Sequence, residues 1–174
     1  MKLSRQSGFT IVELTIVLLV MSILAAVAAP RYLEATARFR VKAAAKRIAA
    51  DLNHVRANAN SKGAGVQTEW VSFYETSDNY RLWNYANIDR PGSEYWVHLQ
   101  QTAYPGDLVL ATFTNQNGYT SNDTIKYDMY GTAKSGAPPF IPDAPLVTGQ
   151  IVVQSGAEQQ IVVISPVTGK ASVP

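Results

Sequence analysis

From Phe9 to Ala29 the chain carries one charge, Glu13, and neither glycine nor proline. As a helix rising about 1.5 Å per residue, this run is about 30 Å long, the thickness of a bilayer's hydrocarbon core. A core helix of a soluble domain keeps a polar stripe. Here the polar side chains are Thr10, Glu13, Thr15 and Ser22 alone. The segment reads as a membrane span, and the rest of the chain must be arranged around it.

Charge divides the remainder. Residues 1–8 carry Lys2 and Arg5; residues 31–62 carry eight Lys/Arg against Glu34 and Asp51; residues 63–174 carry five Lys/Arg against ten Asp/Glu. The order is a short basic leader, an apolar rod, a basic rod and an acidic head. The chain is 47% hydrophobic and 16% charged, which gives a packed core rather than disorder. It has no cysteine, which excludes disulfides, thiolate metal sites and cysteine nucleophiles.

A secretory signal peptide competes with the span. It would have the same basic start, a shorter apolar region and a small-residue cleavage site, for which Ala25–Ala29 would serve. The apolar run is long for that role. Flanking charge leaves topology open: Lys2 and Arg5 favour a cytoplasmic N-terminus, whereas Arg31, Arg38, Arg40 and Lys42 pull the other way.

Glu13 has a bland reading and a sharp one. Near the start of a span it can snorkel to the interface. Alternatively, cleavage after Gly8 would create a positive amine on Phe9, four residues from Glu13. A straight helix does not easily bring that amine to its own Glu13, about 6 Å along the axis. An axially shifted neighbour would, pairing two charges in a low-dielectric layer and fixing register between subunits.

The stretch "GFTIVELTIVLLVMSILAAVAAPRY" resembles the N-terminus of type IV prepilins and type II secretion pseudopilins. The likeness rests on Gly8, Phe9, Thr10, Glu13, the uninterrupted apolar run, and Pro30 followed by a basic residue. It implies that a membrane-embedded prepilin peptidase cuts between Gly8 and Phe9 and methylates the Phe9 amine. It implies that Glu13 pairs with Phe9 of a neighbouring subunit. It also places the N-terminus in the cytoplasm, a single span in the bacterial inner membrane, and the head outside in the periplasm.

Pro30 removes an amide donor and is expected to bend the helix. Beyond it, Val41, Ala45, Ile48, Leu52, Val55 and Ala59 step by three and four and form one apolar stripe. Arg40, Lys46, Arg47 and Asn58 lie opposite, and Gly63 is a suitable stop. The stripe should pack on a sheet. The basic excess is either a phosphate-binding face or a solvated one, and the acidic head argues against nucleic acid.

Past Gly63 the period changes. Strands are expected at 66–74, 80–83, 95–99, 108–114 and 124–131, with a hairpin at 150–154 and 160–166 and a short closing strand at 168–173. "TNQNGYTSND" at 114–123 reads as a loop. The four prolines of "GAPPFIPDAP" at 136–145 predict an irregular surface excursion. "IKYDMYG" and the ending "ISPVTGKASV" resemble the C-terminal half of H-type minor pseudopilins and related minor pilins.

No catalytic constellation is visible. His54 and His98 stand far apart in sequence, and no nucleophile, phosphate or zinc motif is present. Asp78, Asn79, Asn122 and Asp123 offer oxygen ligands for calcium, but without the spacing of a calcium loop. Trp70, Tyr74, Trp83, Tyr95 and Trp96 read as core and strand-face packing. The chain is thus expected to be α+β with a pilin-like fold, a long helix packed on an antiparallel sheet. Its segments would be a cleaved leader (1–8), a transmembrane helix (9–30), an amphipathic continuation (31–62) and a β-rich head (63–174). It is expected to be a structural subunit, not an enzyme, with no cofactor and no metal. Its expected role is a minor pseudopilin of type II secretion. The alternative is a minor type IV pilin for pilus assembly or DNA uptake. The resemblance implies as partners the peptidase, other pilin subunits, the assembly platform with its ATPase, and lipid.

Overall fold

The computed structural model describes residues 9–62, 69–86, 94–101, 106–137 and 141–174. The helix α1 runs from Ile11 to Lys62 and contains Pro30 without interruption. The strands are β1 (Glu69–Tyr74), β2 (Asn79–Ala86), β3 (Glu94–His98), β4 (Asp107–Asn115), β5 (Thr120–Ser121), β6 (Thr124–Tyr127), β7 (Ala133–Ala137), β8 (Ile141–Ser155), β9 (Glu158–Ile164) and β10 (Ala171–Ser172).

The chain forms two compact units, residues 1–36 and 37–174. In the first, every described side chain from Phe9 to Ala35 is exposed. The hydroxyls inside the apolar run turn back onto the helix. Thr15 donates to the carbonyl of Val12 at 2.8 Å and Ser22 to that of Leu18 at 2.7 Å, so neither is left unsatisfied in apolar surroundings.

The second unit is built on one antiparallel sheet of order β10-β9-β8-β7-β6-β1-β2-β3, with β4 added against β8 and β5 against β4. The long β8 joins its halves, pairing β7 through Ile141–Pro145 and then β4 and β9. The six stripe residues Val41, Ala45, Ile48, Leu52, Val55 and Ala59 are all buried, at 0–5% exposure. They share a core with Phe73, Tyr80, Phe113, Ile125 and Ile151 from the strands. The period of the helix and the alternation of the strands therefore converge on one interior. Asn53 stitches α1 to β10 by exchanging two hydrogen bonds with the backbone of Ala171, at 2.9 and 3.0 Å.

The proline-rich stretch differs from the irregular excursion expected of it. Residues 141–145 are strand, and Ala144 is buried. Here β8 pairs β7, with Lys134 opposite Pro145 and Ser135 opposite Ala144, and the Pro145 carbonyl accepts the N–H of Gln116, just past β4, at 2.9 Å. Among the described residues no strand but β7 is in register with 141–145, and proline is tolerated there as it is on an edge strand. The strand expected over 124–131 ends at Tyr127, because Asp128 turns the chain by accepting the N–H groups of Tyr130 and Thr132. The loop expected at 114–123 contains β5, and the closing strand shrinks to Ala171–Ser172. Residues 66–68 of the expected first strand lie outside the described residues.

Candidate functional site

The start of α1 is where the sequence placed the chemistry. Gly8 and the leader 1–8 lie outside the described residues. Phe9 is 78% exposed. Thr10 is the N-cap of α1: its Oγ1 accepts the backbone N–H of Glu13 at 3.2 Å, and its carbonyl accepts that of Leu14 at 3.1 Å. Glu13 is thus the third residue of the helix, in the Thr-x-x-Glu spacing of a capping box. A carboxylate in the first turn is favoured by the helix dipole. Sequence reasoning missed the part Thr10 plays, although the four-residue spacing announces it. Among the described residues the Glu13 carboxylate makes no ion pair.

The helix carrying this start is long and apolar enough to cross a membrane, by length and composition. Pro30 sits near the far end of that apolar run, inside α1.

The other candidates are dispersed. His54 is exposed on α1 and His98 on β3, on different elements. Asp78 adopts a left-handed backbone (φ 50°) and accepts the N–H of Leu108 at 2.8 Å. Asp123 accepts the Ser121 hydroxyl at 2.7 Å, and its carbonyl accepts the N–H of Phe73. These oxygens are engaged by the head's own backbone and hydroxyl groups. Among the described residues no group of three or more His, Asp or Glu is placed to hold a metal.

The model of the prokaryotic N-terminal methylation motif matches residues 3–29. No curated protein matches the sequence. Among solved structures, the chain is similar to the type IV minor pilin FimU of Pseudomonas aeruginosa strain PAO1. The identity is 14% and the TM-score 0.45, over 79% of this chain and 90% of that one. A prokaryotic N-terminal methylation motif thus opens the long apolar helix, and an antiparallel sheet is built on the later turns of that helix.

Proposed function

We propose that the chain is a non-enzymatic structural subunit of a filament assembled from the bacterial inner membrane. The leader 1–8 is removed between Gly8 and Phe9, and the new Phe9 amine is methylated. Residues 9–30 then span the membrane with the head (63–174) in the periplasm, carried by the continuation 31–62. Glu13 pairs with the Phe9 amine of a neighbouring subunit, and Pro30 bends the rod. The observation that carries this reading is the motif match over residues 3–29 on a helix of membrane-spanning length. The peptidase, fellow pilins, the membrane platform with its ATPase and lipid are the partners.

Within that class we favour a minor pseudopilin of type II secretion. Its support is the likeness of "IKYDMYG" and "ISPVTGKASV" to the H-type subunits, together with the contact these two stretches make at Gly131 and Gly169. The second reading is a minor pilin for pilus assembly or DNA uptake, for which the methylation motif at residues 3–29 speaks equally.

The test is the intact mass and N-terminal sequence of the protein from native membranes. The expected chain starts at N-methylated phenylalanine, Phe9. A chain starting near Pro30 means signal-peptide cleavage and overturns the proposal. Gene deletion then separates the two readings: loss of exoprotein secretion with pili retained supports the first, and loss of pili or of DNA uptake supports the second.

A further inference from the structure

Two asparagines share the hairpin between β4 and β5, and the turn uses them differently. Asn115 ends β4 and is 1% exposed. Its Nδ2 donates to the carbonyl of Ser135 at 2.8 Å, and its Oδ1 accepts the N–H groups of Asn117 and Tyr119 at 3.0 and 3.1 Å. Both polar atoms of that carboxamide are engaged in clasping the loop to β7. Asn117 stands at the exposed tip, and among the described residues its carboxamide makes no hydrogen bond.

Asn117 is also the one asparagine of the chain that glycine follows. Gly118 is exposed, with φ +78°, and nothing lies within 4 Å of where a Cβ would stand. No side chain therefore separates the Gly118 nitrogen from the Asn117 carboxamide, and glycine leaves φ free to follow a ring closure. An unpaired carboxamide and an unhindered amide nitrogen in adjacent residues are the two partners of an intramolecular reaction.

The turn opposes that reaction at one point. The Gly118 N–H donates to the carbonyl of Asn115 at 3.0 Å, and this bond must open before the nitrogen can react. Little holds it shut. The strand β5 is two residues long and pairs β4 only through Phe113 with Ser121 and Thr114 with Thr120. Gln116, Asn117 and Gly118 are all exposed, so opening the tip uncovers no core. Opening of this local kind costs far less than global unfolding.

We infer that Asn117 is a site of spontaneous modification, where the chain itself converts asparagine to aspartate and isoaspartate. Hydroxide takes the proton of the Gly118 N–H, and the nitrogen attacks Cγ of Asn117. The new bond joins that nitrogen to Cγ, the bond from Cγ to Nδ2 breaks, and ammonia leaves with a proton from water. The product is a five-membered imide, which water opens. Cleavage between the nitrogen and Cγ gives aspartate on an ordinary backbone. Cleavage between the nitrogen and the main-chain carbonyl carbon gives isoaspartate, whose backbone runs through Cβ. Either product adds a carboxylate to an already acidic head. Isoaspartate also lengthens the turn by one carbon, displacing the N–H groups of Gly118 and Tyr119 that Asn115 accepts. The change is one-way, needs no enzyme and is independent of processing at Phe9.

The experiment incubates the detergent-solubilised full chain in mildly alkaline buffer and follows it by peptide mass mapping, with isoaspartate counted by isoaspartyl methyltransferase labelling. The peptide containing Asn117 exchanges the mass of NH2 for that of OH, fragmentation places the exchange at Asn117, and the rate rises with pH. The other asparagines of the folded chain lag behind. Asn117→Gln suppresses the exchange, because the imide would then need a six-membered ring. Gly118→Ala slows it, with circular dichroism confirming the fold, since the added Cβ meets open space but crowds the nitrogen. The same chain unfolded in urea is the control. Exchange in urea with none in the folded chain shows that the clasp locks the turn, and overturns the proposal. So does exchange that survives Asn117→Gln, or that proceeds as fast at the other asparagines of the folded chain.

Discussion

Tyr80 of β2 donates its hydroxyl to Oδ2 of Asp51 on α1 at 2.5 Å. Tyr80 is 1% exposed, and Asp51 also lies 3.6 Å from Arg47 one turn earlier. The pair joins the helix to the sheet where the helix carries a charge beside its apolar stripe. Tyr80→Phe removes the donor to a carboxylate and should destabilise the head by about 1.5–3 kcal/mol. Urea unfolding of detergent-solubilised protein checks it; an unchanged midpoint would show that the bond contributes nothing net.

The same tyrosine sets an alkaline limit. Burial, with the Asp51 charge added to it, raises its hydroxyl well above the usual tyrosine range. Burial likewise raises Tyr127. A folded-state value above the unfolded one means stability is fully present below about pH 10 and declines as pH rises beyond it. In a spectrophotometric titration, two phenols should therefore ionise only as the head unfolds. Full ionisation with the near-ultraviolet dichroism retained would contradict this.

Gly169 and Gly131 meet where two turns cross. Gly169 has φ +65°, and a Cβ there would overlap the carbonyl oxygen of Gly131. Neither backbone can yield easily, because Gly169 donates its N–H to Ser165 at 2.8 Å and Gly131 donates to Asp128 at 2.8 Å. Gly169→Ala should cost more than about 2 kcal/mol, combining left-handed strain with a backbone clash. Gly118 has φ +78° but open space around it, so Gly118→Ala should cost only about 1 kcal/mol. Equal melting temperatures for the two variants would refute the clash.

Asp128 gives the head an acid response. Partial burial pushes its carboxyl up, but the Lys134 ammonium and the N–H groups of Thr132 and Tyr130 outweigh burial and hold it below the usual carboxylate range. A depressed folded-state value contributes stability that is present above about pH 4 and is lost as pH falls through the folded value. Asp128→Asn should lower the melting temperature at pH 7, and the difference from the parent should shrink as pH falls below about 4. A constant difference between the two across that range would assign the effect to the turn geometry, not to ionisation.

How much of this was legible follows from the range of each signal. The helix stripe is a local period, so Val41 through Ala59 could be placed in the core without knowing what covers them. The β8–β9 hairpin joins neighbouring segments and was equally visible. The proline-rich stretch was not, because the rule against proline holds only for strands paired on both sides. That residues 141–145 form a strand at all depends on β7, which carries the weak strand sequence "AKSGA". The strand-face aromatic residues were legible, but their contacts with one another were hidden for a related reason. Trp83 and Arg81 meet Trp70 and Trp96 only through pairing across three strands. At the start of α1, Glu13 was found from its isolation in an apolar run, while its backbone bond to Thr10 was overlooked.

That bond makes two roles for Glu13 separable. A capping box accepts glutamine at the third helical position as well as glutamate. Glu13→Gln should therefore leave the helix start intact and remove only the charge. Thr10→Ala should weaken the start by about 1 kcal/mol and leave the charge in place. If Glu13 pairs with the Phe9 amine of a neighbour, Glu13→Gln is cleaved normally but fails to enter filaments, whereas Thr10→Ala is still incorporated. Immunoblots of sheared filaments and membrane fractions distinguish the cases. Normal incorporation of the Glu13→Gln protein, with poor incorporation of Thr10→Ala, would make Glu13 a capping residue and remove the charge pair from the assembly mechanism.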